Sequence, residues 1–426
     1  MKSRLAIGFM FLSLLALPYR APAEETKPSE NLPMLVDAAI TNNPEVKASE
    51  ARWEMFRNRV AQAGALDDPM LMLKMQNFLI RDPFNSQRDP MSQRVIGISQ
   101  QLPFWGKRDL KAEVASKEAE ALKWQVDERK LELARMVKET WYQIFLTDKE
   151  LQIVEKNIRI MDDFIALAET KYSVGQGAQQ DVFKAQVERS KMLDMKISLE
   201  QQRKSLQATL NTLLYRPAET PVGKVADFEL KPFTWSPDQL RAVARENRPM
   251  VKSLRAQIEK GEAGHRLAEK ELFPDVNLSF EYMQRDPTSE MERGYDMYSA
   301  GLTFNLPIQR MRRHAMVRES SAEIAMATAE LNTLNNSINL GIADSLAQLE
   351  RRDKLAKLYR TGIIPQAEQS LESATIGYRV NKVDFLTLLD NRLTLFNYER
   401  DYYESLAEYQ MRLARLEALV GKELQE

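Results

Sequence analysis

Few side chains in this 426-residue protein could bind a metal ion or carry out acid–base catalysis. There is no cysteine, and the two histidines, His265 and His314, have no second histidine at ligand spacing. Met70, Met72 and Met75 lie close together, but packing or lipid contact explains them more simply than copper coordination does. The chain also contains no glycine-rich phosphate loop and no nucleophile elbow. The sequence therefore predicts no metal site, no cofactor and no enzyme active site.

A second set of candidate residues surrounds two short turns in the chain. Asp181 follows the first turn and Asp384 follows the second, each at the start of a predicted helix, where the helix dipole favours a carboxylate. Arg379 and Lys382 flank the second turn. These charges are either solvated residues at helix ends or parts of an electrostatic gate, and the choice depends on the elements that carry them.

Long helices carry both turns. Residues 107–174 contain neither glycine nor proline over 68 positions, and their apolar residues recur three and four apart. A helix of that length is roughly 100 Å long. A second helix is predicted over residues 178–216, and the other half of the chain has helices predicted over residues 308–361 and 382–420, with a break between Gly362 and Pro365. Such helices cannot bury their apolar stripes in a compact globule, so we expect coiled-coil-like packing.

The two halves of the chain are tandem copies of one unit. Residues about 205 positions apart match in register along most of the chain. The matches include Pro44 with Pro249, Pro69 with Pro274, Pro103 with Pro307 and Tyr172 with Tyr378. We divide the chain into a first repeat (24–217), a linker (218–239) and a second repeat (240–426). Such a duplication predicts a pseudo-symmetric assembly.

Residues 1–23 have the features of a secretory signal peptide. A basic start precedes an apolar run over residues 5–17, and residues 21–23 (Ala-Pro-Ala) form a small-residue cleavage site. The apolar run is too short for a membrane-spanning anchor. Without cysteine, no lipid can be attached to a cysteine after the leader. We expect export without a lipid anchor, and a formal net charge of −1 gives no electrostatic reason to expect nucleic-acid binding.

Four segments of about ten residues alternate apolar and polar side chains. They are residues 69–80, 94–103, 274–284 and 297–307. That length and alternation suit tilted transmembrane β-strands and equally suit half-buried hairpins on a soluble core. The leader and the lack of another compact core favour the membrane interpretation. Open sheet edges are not tolerated in lipid, so four strands per chain would require several chains to close a barrel.

The order of these elements resembles the outer-membrane factor (TolC) family over essentially the whole chain after the leader. Residues 100–108 (QQLPFWGKR) and their echo at residues 304–308 are similar to the family's passage from barrel to helix, and the Phe-Trp-Gly-Lys junction is similar to that of members paired with heavy-metal resistance pumps. Residues 171–175 (KYSVG) resemble the family's Tyr-x-x-Gly turn. The repeated turn, residues 377–381 (GYRVN), has Asn381 where glycine is usual, a mild departure because asparagine tolerates left-handed turns.

The resemblance implies an α+β membrane protein in which each chain holds two repeats of a β-hairpin and a long helical hairpin. Three chains would form a twelve-stranded transmembrane β-barrel continued by a periplasmic α-barrel of twelve helices. Such homotrimers are exit ducts in the outer membrane of Gram-negative bacteria and work with a periplasmic adaptor and an inner-membrane pump. Small molecules or metal cations are the expected cargo. Type I protein secretion is an alternative within this class, and a soluble periplasmic coiled-coil scaffold or adaptor is an alternative from another class.

The resemblance also implies an entrance gate just past the helical turns. When the family's tip motif is matched to this sequence, the family's aperture acid falls at Asp390, and Thr387 falls at the neighbouring aperture position. The matching positions in the first repeat are Lys184 and Asp181. In three chains, one inward acid per chain would form a ring that attracts cations.

Two further groups of tip residues follow from the same resemblance. Arg379 and Lys382 would close the gate by bridging to acids on a neighbouring hairpin, and Asp384 is a further candidate at the same level. The adaptor is expected to dock on the two turns themselves. The docking candidates are Tyr172, Val174, Gly175, Tyr378, Val380 and Asn381.

Overall fold

The computed structural model describes residues 31–425, so the predicted leader lies outside the described residues. The described helices are α1 (Leu32–Asn42), α2 (Pro44–Gly64), α3 (Lys107–Ser173), α4 (Gln179–Leu213), α5 (Pro237–Asn247), α6 (Pro249–Lys270), α7 (Arg310–Leu358), α8 (Ile364–Arg379) and α9 (Phe385–Val420). The described strands are β1 (Met70–Gln76), β2 (Gln93–Leu102), β3 (Val276–Gln284) and β4 (Met297–Phe304). Within this range, no helix is both long enough and apolar enough to cross a membrane.

The helices form one layer around α3. The first half of α3 packs against α2 and α6, and its second half packs against α4 and α9. The ion pairs Lys130–Glu50 (2.7 Å) and Lys196–Glu155 (2.9 Å) mark these two levels. Helix α7 packs beside α6 and α9, and α8 packs beside α9. The order is therefore α2 and α4, then α3, then α6 and α9, then α7 and α8, so that α2 and α4 lie at one edge and α7 and α8 at the other.

Helices α1, α2, α5 and α6 are not anticipated by the long uninterrupted runs in the sequence, although local signals for them exist. Asn43 caps α2 by accepting a hydrogen bond from the Glu45 N–H (2.9 Å), and Pro44 occupies the first turn. Ser236 and Gln239 form a capping box at the start of α5. These shorter helices fill the layer beside α3 and α7, where the long hairpins alone would leave gaps.

The predicted helix over residues 308–361 is wrong at its end. A π-helical turn, Tyr359–Ile363, lies where a break was expected, and the helix continues through α8 to Arg379. In this wider turn the Ile364 N–H bonds to the Tyr359 carbonyl, five residues earlier. Pro365 therefore falls in the first turn of α8, where a missing N–H is tolerated.

The four strands form a single antiparallel sheet in the order β1-β2-β3-β4. Because β2 pairs with β3, the two predicted hairpins are joined within one chain, and β1 and β4 remain as its edges. Ile98 lies opposite both Leu71 and Phe280 in the register of the sheet. These side chains and their neighbours of the same parity form one apolar face, and its large side chains are exposed in the described chain.

Two strands are shorter than the sequence predicts. β1 ends at Gln76 rather than near residue 80, because Asn77 adopts a left-handed conformation with φ 61°. β4 ends at Phe304 rather than near residue 307. There Asn305 turns toward Asp275 and accepts a hydrogen bond from its N–H (2.6 Å), which begins the connection to α7.

Candidate entrance at the helical tips

The two helical turns, which we call the tips (residues 171–179 and 377–385), pack against each other within one chain. Side chains from α3, α4, α8 and α9 form a common apolar cluster beneath them. Phe385 lies at its centre, with the ring of Tyr378 5.6 Å away and that of Phe164 6.3 Å away, both edge-on. The tips therefore form one packed unit that presents its turns at one end of the chain.

The backbones of the two tips have the same form. Gly175 (φ 73°) and Asn381 (φ 60°) both take the left-handed conformation that ends a helix. In each tip the residue after the left-handed position also bonds back to the helix, as in Gln176 N–H to the Lys171 carbonyl (2.8 Å). Asparagine thus replaces glycine in the second tip without changing its geometry.

Lys171 joins the two tips and was not singled out by the sequence. Its buried ammonium donates hydrogen bonds to the Tyr378 carbonyl (2.5 Å) and to the Asn381 side-chain oxygen. The same ammonium lies 4.6 Å from the centre of the Tyr378 ring, within cation–π range. The sequence signal that could have pointed to Lys171 is its position directly before the tyrosine of the first tip motif. Its hydrogen-bond partner Tyr378, however, lies 207 residues further along the chain.

Asp384 has a local role at the start of α9. Its carboxylate accepts a hydrogen bond from the Thr387 N–H (2.7 Å) and so caps the helix. That bond, together with the Thr387 side chain, lowers the pKa of Asp384 below its ordinary value. This favours the helix-end interpretation of Asp384 over a part in the gate.

The candidate aperture residues of the second repeat lie on the exposed side of α9. Thr387 and Asp390 are one turn apart and both exposed, whereas Leu388 and Leu389 point into the tip cluster. Within the described chain, Asp390 has no hydrogen-bond or ion-pair partner. Its carboxylate is therefore free to interact with an ion or with another molecule.

The matching positions of the first repeat are more enclosed. Asp181 and Lys184 are half-buried on α4. Burial raises the pKa of Tyr378, and the nearby negative charge of Asp181 raises it further. Arg379 and Lys382 are exposed, and neither has a carboxylate partner within the described part of the chain.

Of the docking candidates, Tyr378 is the exception. Its side chain is only 4% exposed, so its ring packs inside the tip unit and cannot present itself to an adaptor. Tyr172, Val174 and Val380 are exposed, as are the backbone turns at Gly175 and Asn381. The structure therefore leaves five of the six candidates accessible.

A buried arginine fixes the helix that carries Asp390. Arg392 donates to the Asn157 side-chain oxygen on α3 (2.7 Å) and to Glu399 on α9 (3.2 Å). Burial lowers the pKa of its guanidinium below the ordinary value, against the opposing effect of Glu399. A buried arginine two residues after Asp390 has no sequence signature, because surface arginines are far more common.

Residues 31–425 contain no group of three histidine, cysteine, aspartate or glutamate side chains placed to hold a metal ion. Among the described residues, the exposed charged side chains Arg379, Lys382, Asp384 and Asp390 form no ion pairs with one another. What the tips offer chemically is a set of fixed charges and apolar side chains at one end of a long helical layer.

A family model, the outer membrane efflux protein, matches residues 35–214 and 240–422. The chain belongs to this family. The two matched segments correspond to the two repeats, and the resemblance inferred from the tip and junction motifs is confirmed. Members of the outer membrane efflux protein family are transport channels rather than enzymes.

Characterised relatives within the family span nearly the whole chain. The cobalt-zinc-cadmium resistance protein CzcC of Cupriavidus metallidurans is 22% identical over 399 residues, which cover 92% of this chain and 90% of CzcC. The pyoverdine export outer membrane protein OpmQ of Pseudomonas aeruginosa is 24% identical over 409 residues, which cover 92% of this chain and 83% of OpmQ. The crystal structure of the outer membrane protein VceC from Vibrio cholerae superposes with a TM-score of 0.78 at 16% identity, covering 92% of this chain and 97% of VceC. This efflux protein therefore shares the fold of solved outer membrane channels.

Proposed function

We propose that this protein is the exit duct of a tripartite efflux system, assembled from three copies of the chain in the outer membrane of a Gram-negative bacterium. The observation that carries the proposal is the open architecture of one chain. A sheet with two free edges continues into a helical layer with two free edges, and the sheet exposes its apolar face.

In the assembly, lipid would cover the exposed apolar face, and two neighbouring copies would cover the free edges. Three sheets joined β4 to β1 would make a closed twelve-stranded barrel and leave no unpaired edge in the hydrocarbon. The exposed apolar face, with Leu73, Ile96 and Tyr298 among its members, would then meet lipid. The opposite face, which carries Ser299, Gly301 and Thr303 on β4, would line the lumen.

The helical edges support the same arrangement. Helix α4 exposes Phe183, Val187 and Ile197 along one edge, and α8 exposes Ile376 along the other. Large apolar side chains at both free edges of a long helical layer are expected where copies pack side by side. The joined layers would form a periplasmic tunnel.

The tips would form the periplasmic entrance and the docking surface for the adaptor. Three Asp390 carboxylates would surround the aperture and favour cations there. The exposed Tyr172, Val174 and Val380 would contact the adaptor, which receives cargo from an inner-membrane pump. The names of CzcC and OpmQ point to metal ions and to pyoverdine, and we propose small molecules or metal cations as the cargo class.

Extraction and bilayer recording test the proposal directly. The membrane fraction should yield the protein only with detergent, as a trimer by light scattering, and the trimer should form conducting channels in planar bilayers. Recovery of a monomer from the soluble periplasm, with no conductance, would support the coiled-coil scaffold instead.

A further inference from the structure

The start of α7 carries an unusual concentration of positive charge. Residues 297–318 contain four arginines and a histidine but no acidic residue. The matching start of α3 in the first repeat alternates its basic residues with Asp109 and Glu113. The two repeats therefore differ sharply in charge at the junction between sheet and helices.

Most of these charges are free in the chain. The side chains of Arg310, Arg312, His314 and Arg318 are exposed and have no hydrogen-bond or ion-pair partner among the described residues, whereas the Arg313 side chain donates to the Glu271 carbonyl (2.5 Å). Helix energetics do not explain them, because arginines in a first turn oppose the helix dipole. An external anionic partner would offset that cost.

Exposed apolar and aromatic side chains surround the same junction. The apolar face of β4 continues through Leu306 (72% exposed) and Ile308 (79% exposed) directly to Arg310. Trp105, at the matching junction of the first repeat, is 89% exposed. Tryptophan at the end of an apolar face, followed by basic residues, is the pattern found where a protein crosses from hydrocarbon to lipid headgroups.

The geometry points to a binding surface for anionic phospholipid headgroups on the periplasmic leaflet, which we call the basic collar (Arg310, Arg312, His314 and Arg318). The inference rests on the proposed membrane function. A headgroup layer is about 5–8 Å thick. At about 1.5 Å per residue, the helix from Arg310 to His314 would cross that layer. In three copies the collar would ring the barrel at this depth.

Quenching of Trp105 fluorescence by brominated lipids measures the collar's lipid preference. The trimer is reconstituted in phosphatidylcholine liposomes in which increasing fractions of dibrominated phosphatidylglycerol or dibrominated phosphatidylcholine replace the host lipid. A Trp105→Phe variant defines the signal of this tryptophan. Wild-type protein should be quenched at several-fold lower fractions of the anionic lipid, since one arginine near an anionic surface contributes about fivefold.

The variant Arg310→Gln/Arg312→Gln/Arg318→Gln should lose most of that preference. The matched control, Arg245→Gln/Arg255→Gln/Arg351→Gln, removes three exposed arginines without partners in the described chain and should keep it. Equal quenching by both lipids in the wild type, or an unchanged preference in the collar variant, would overturn the inference.

Two other outcomes are distinguishable. In the first, the collar variant's trimer dissociates in detergent and the wild-type protein shows no lipid preference. This result would mean that the arginines pair with acids of a neighbouring copy, such as Asp67 and Asp68 before β1, and it would overturn the proposed lipid-binding surface. Absence of quenching by either brominated lipid would instead refute the proposed membrane insertion.

Discussion

Charged residues at the tips differ in whether the chain already pairs them, and this difference separates gate candidates from structural residues. Asp390 is exposed and unpaired within the described chain, so its charge is free to act on ions. Lys171 is buried and bound to the opposite tip. Substitutions at these two positions should therefore affect different properties of the protein.

Replacing Asp390 with Asn should lower the cation selectivity of the channel in planar bilayers. A negative unit charge about 4 Å from an ion in water lowers the energy of a cation by ~1 kcal/mol and raises that of an anion by as much, so the ratio of cation to anion permeability should fall by up to about 30-fold. Asp238→Asn, at an exposed position on α5, is the control and should leave the ratio unchanged. Unaltered selectivity and conductance in D390N would place Asp390 away from the aperture.

Replacing Lys171 with Met should loosen the tips. The substitution leaves the Tyr378 carbonyl and the Asn381 side-chain oxygen without their buried donor, which costs about 1–3 kcal/mol. Faster hydrogen exchange in both tips, measured by mass spectrometry, would report the loss. Lys382→Met removes an exposed lysine from the same region and should change the exchange little. Equal effects of the two variants would mean that Lys171 does not hold the tips together.

At the scale of elements, long-range pairing limits what the sequence predicts. The 67 residues of α3 follow from the absence of glycine and proline, and the left-handed positions at Gly175 and Asn381 follow from residue type. The π-helical turn does not, because residue type alone does not show whether Gly362 and Pro365 end a helix or only widen one of its turns. The Lys171 contact and the burial of Tyr378 depend on the packing of helices from different repeats, which local patterns cannot reveal.

The cap of α9 makes a prediction about pH. The Thr387 N–H lowers the pKa of Asp384 in the folded protein, so the cap stabilises α9 above the pKa of an unfolded aspartate, about 3.9. That contribution is lost as the pH falls through the lower folded-state pKa. Asp384→Ala should therefore speed hydrogen exchange at the start of α9 near neutral pH, and this effect should disappear as the pH falls through the lowered pKa of Asp384 in the folded protein. Glu372→Ala, an exposed acid on α8 without a partner in the described chain, should show no such pH dependence.

For the whole molecule, the decisive property is the difference between the two faces of the sheet. Ala300 lies opposite Phe280 on the apolar face, and its neighbour Ser299 lies opposite Glu281 on the other face. Both are small, exposed residues of β4, so they form a matched pair. A membrane barrel and a soluble hairpin predict different responses to a charge at these two positions.

Arginine at position 300 would face the hydrocarbon, where it costs about 2–4 kcal/mol per chain near the bilayer midplane. Arginine at position 299 would face the lumen beside Glu281 and meet water. Ala300→Arg should therefore reduce the stability of the trimer in liposomes, measured by urea unfolding, while Ser299→Arg should leave it nearly unchanged. If the protein were a soluble scaffold, it would fold in detergent-free buffer, and this difference in stability between the two variants would not be expected there. Similar unfolding curves for the two variants in liposomes would show that the apolar face does not contact lipid, and the case for three copies closing one barrel would fail with it.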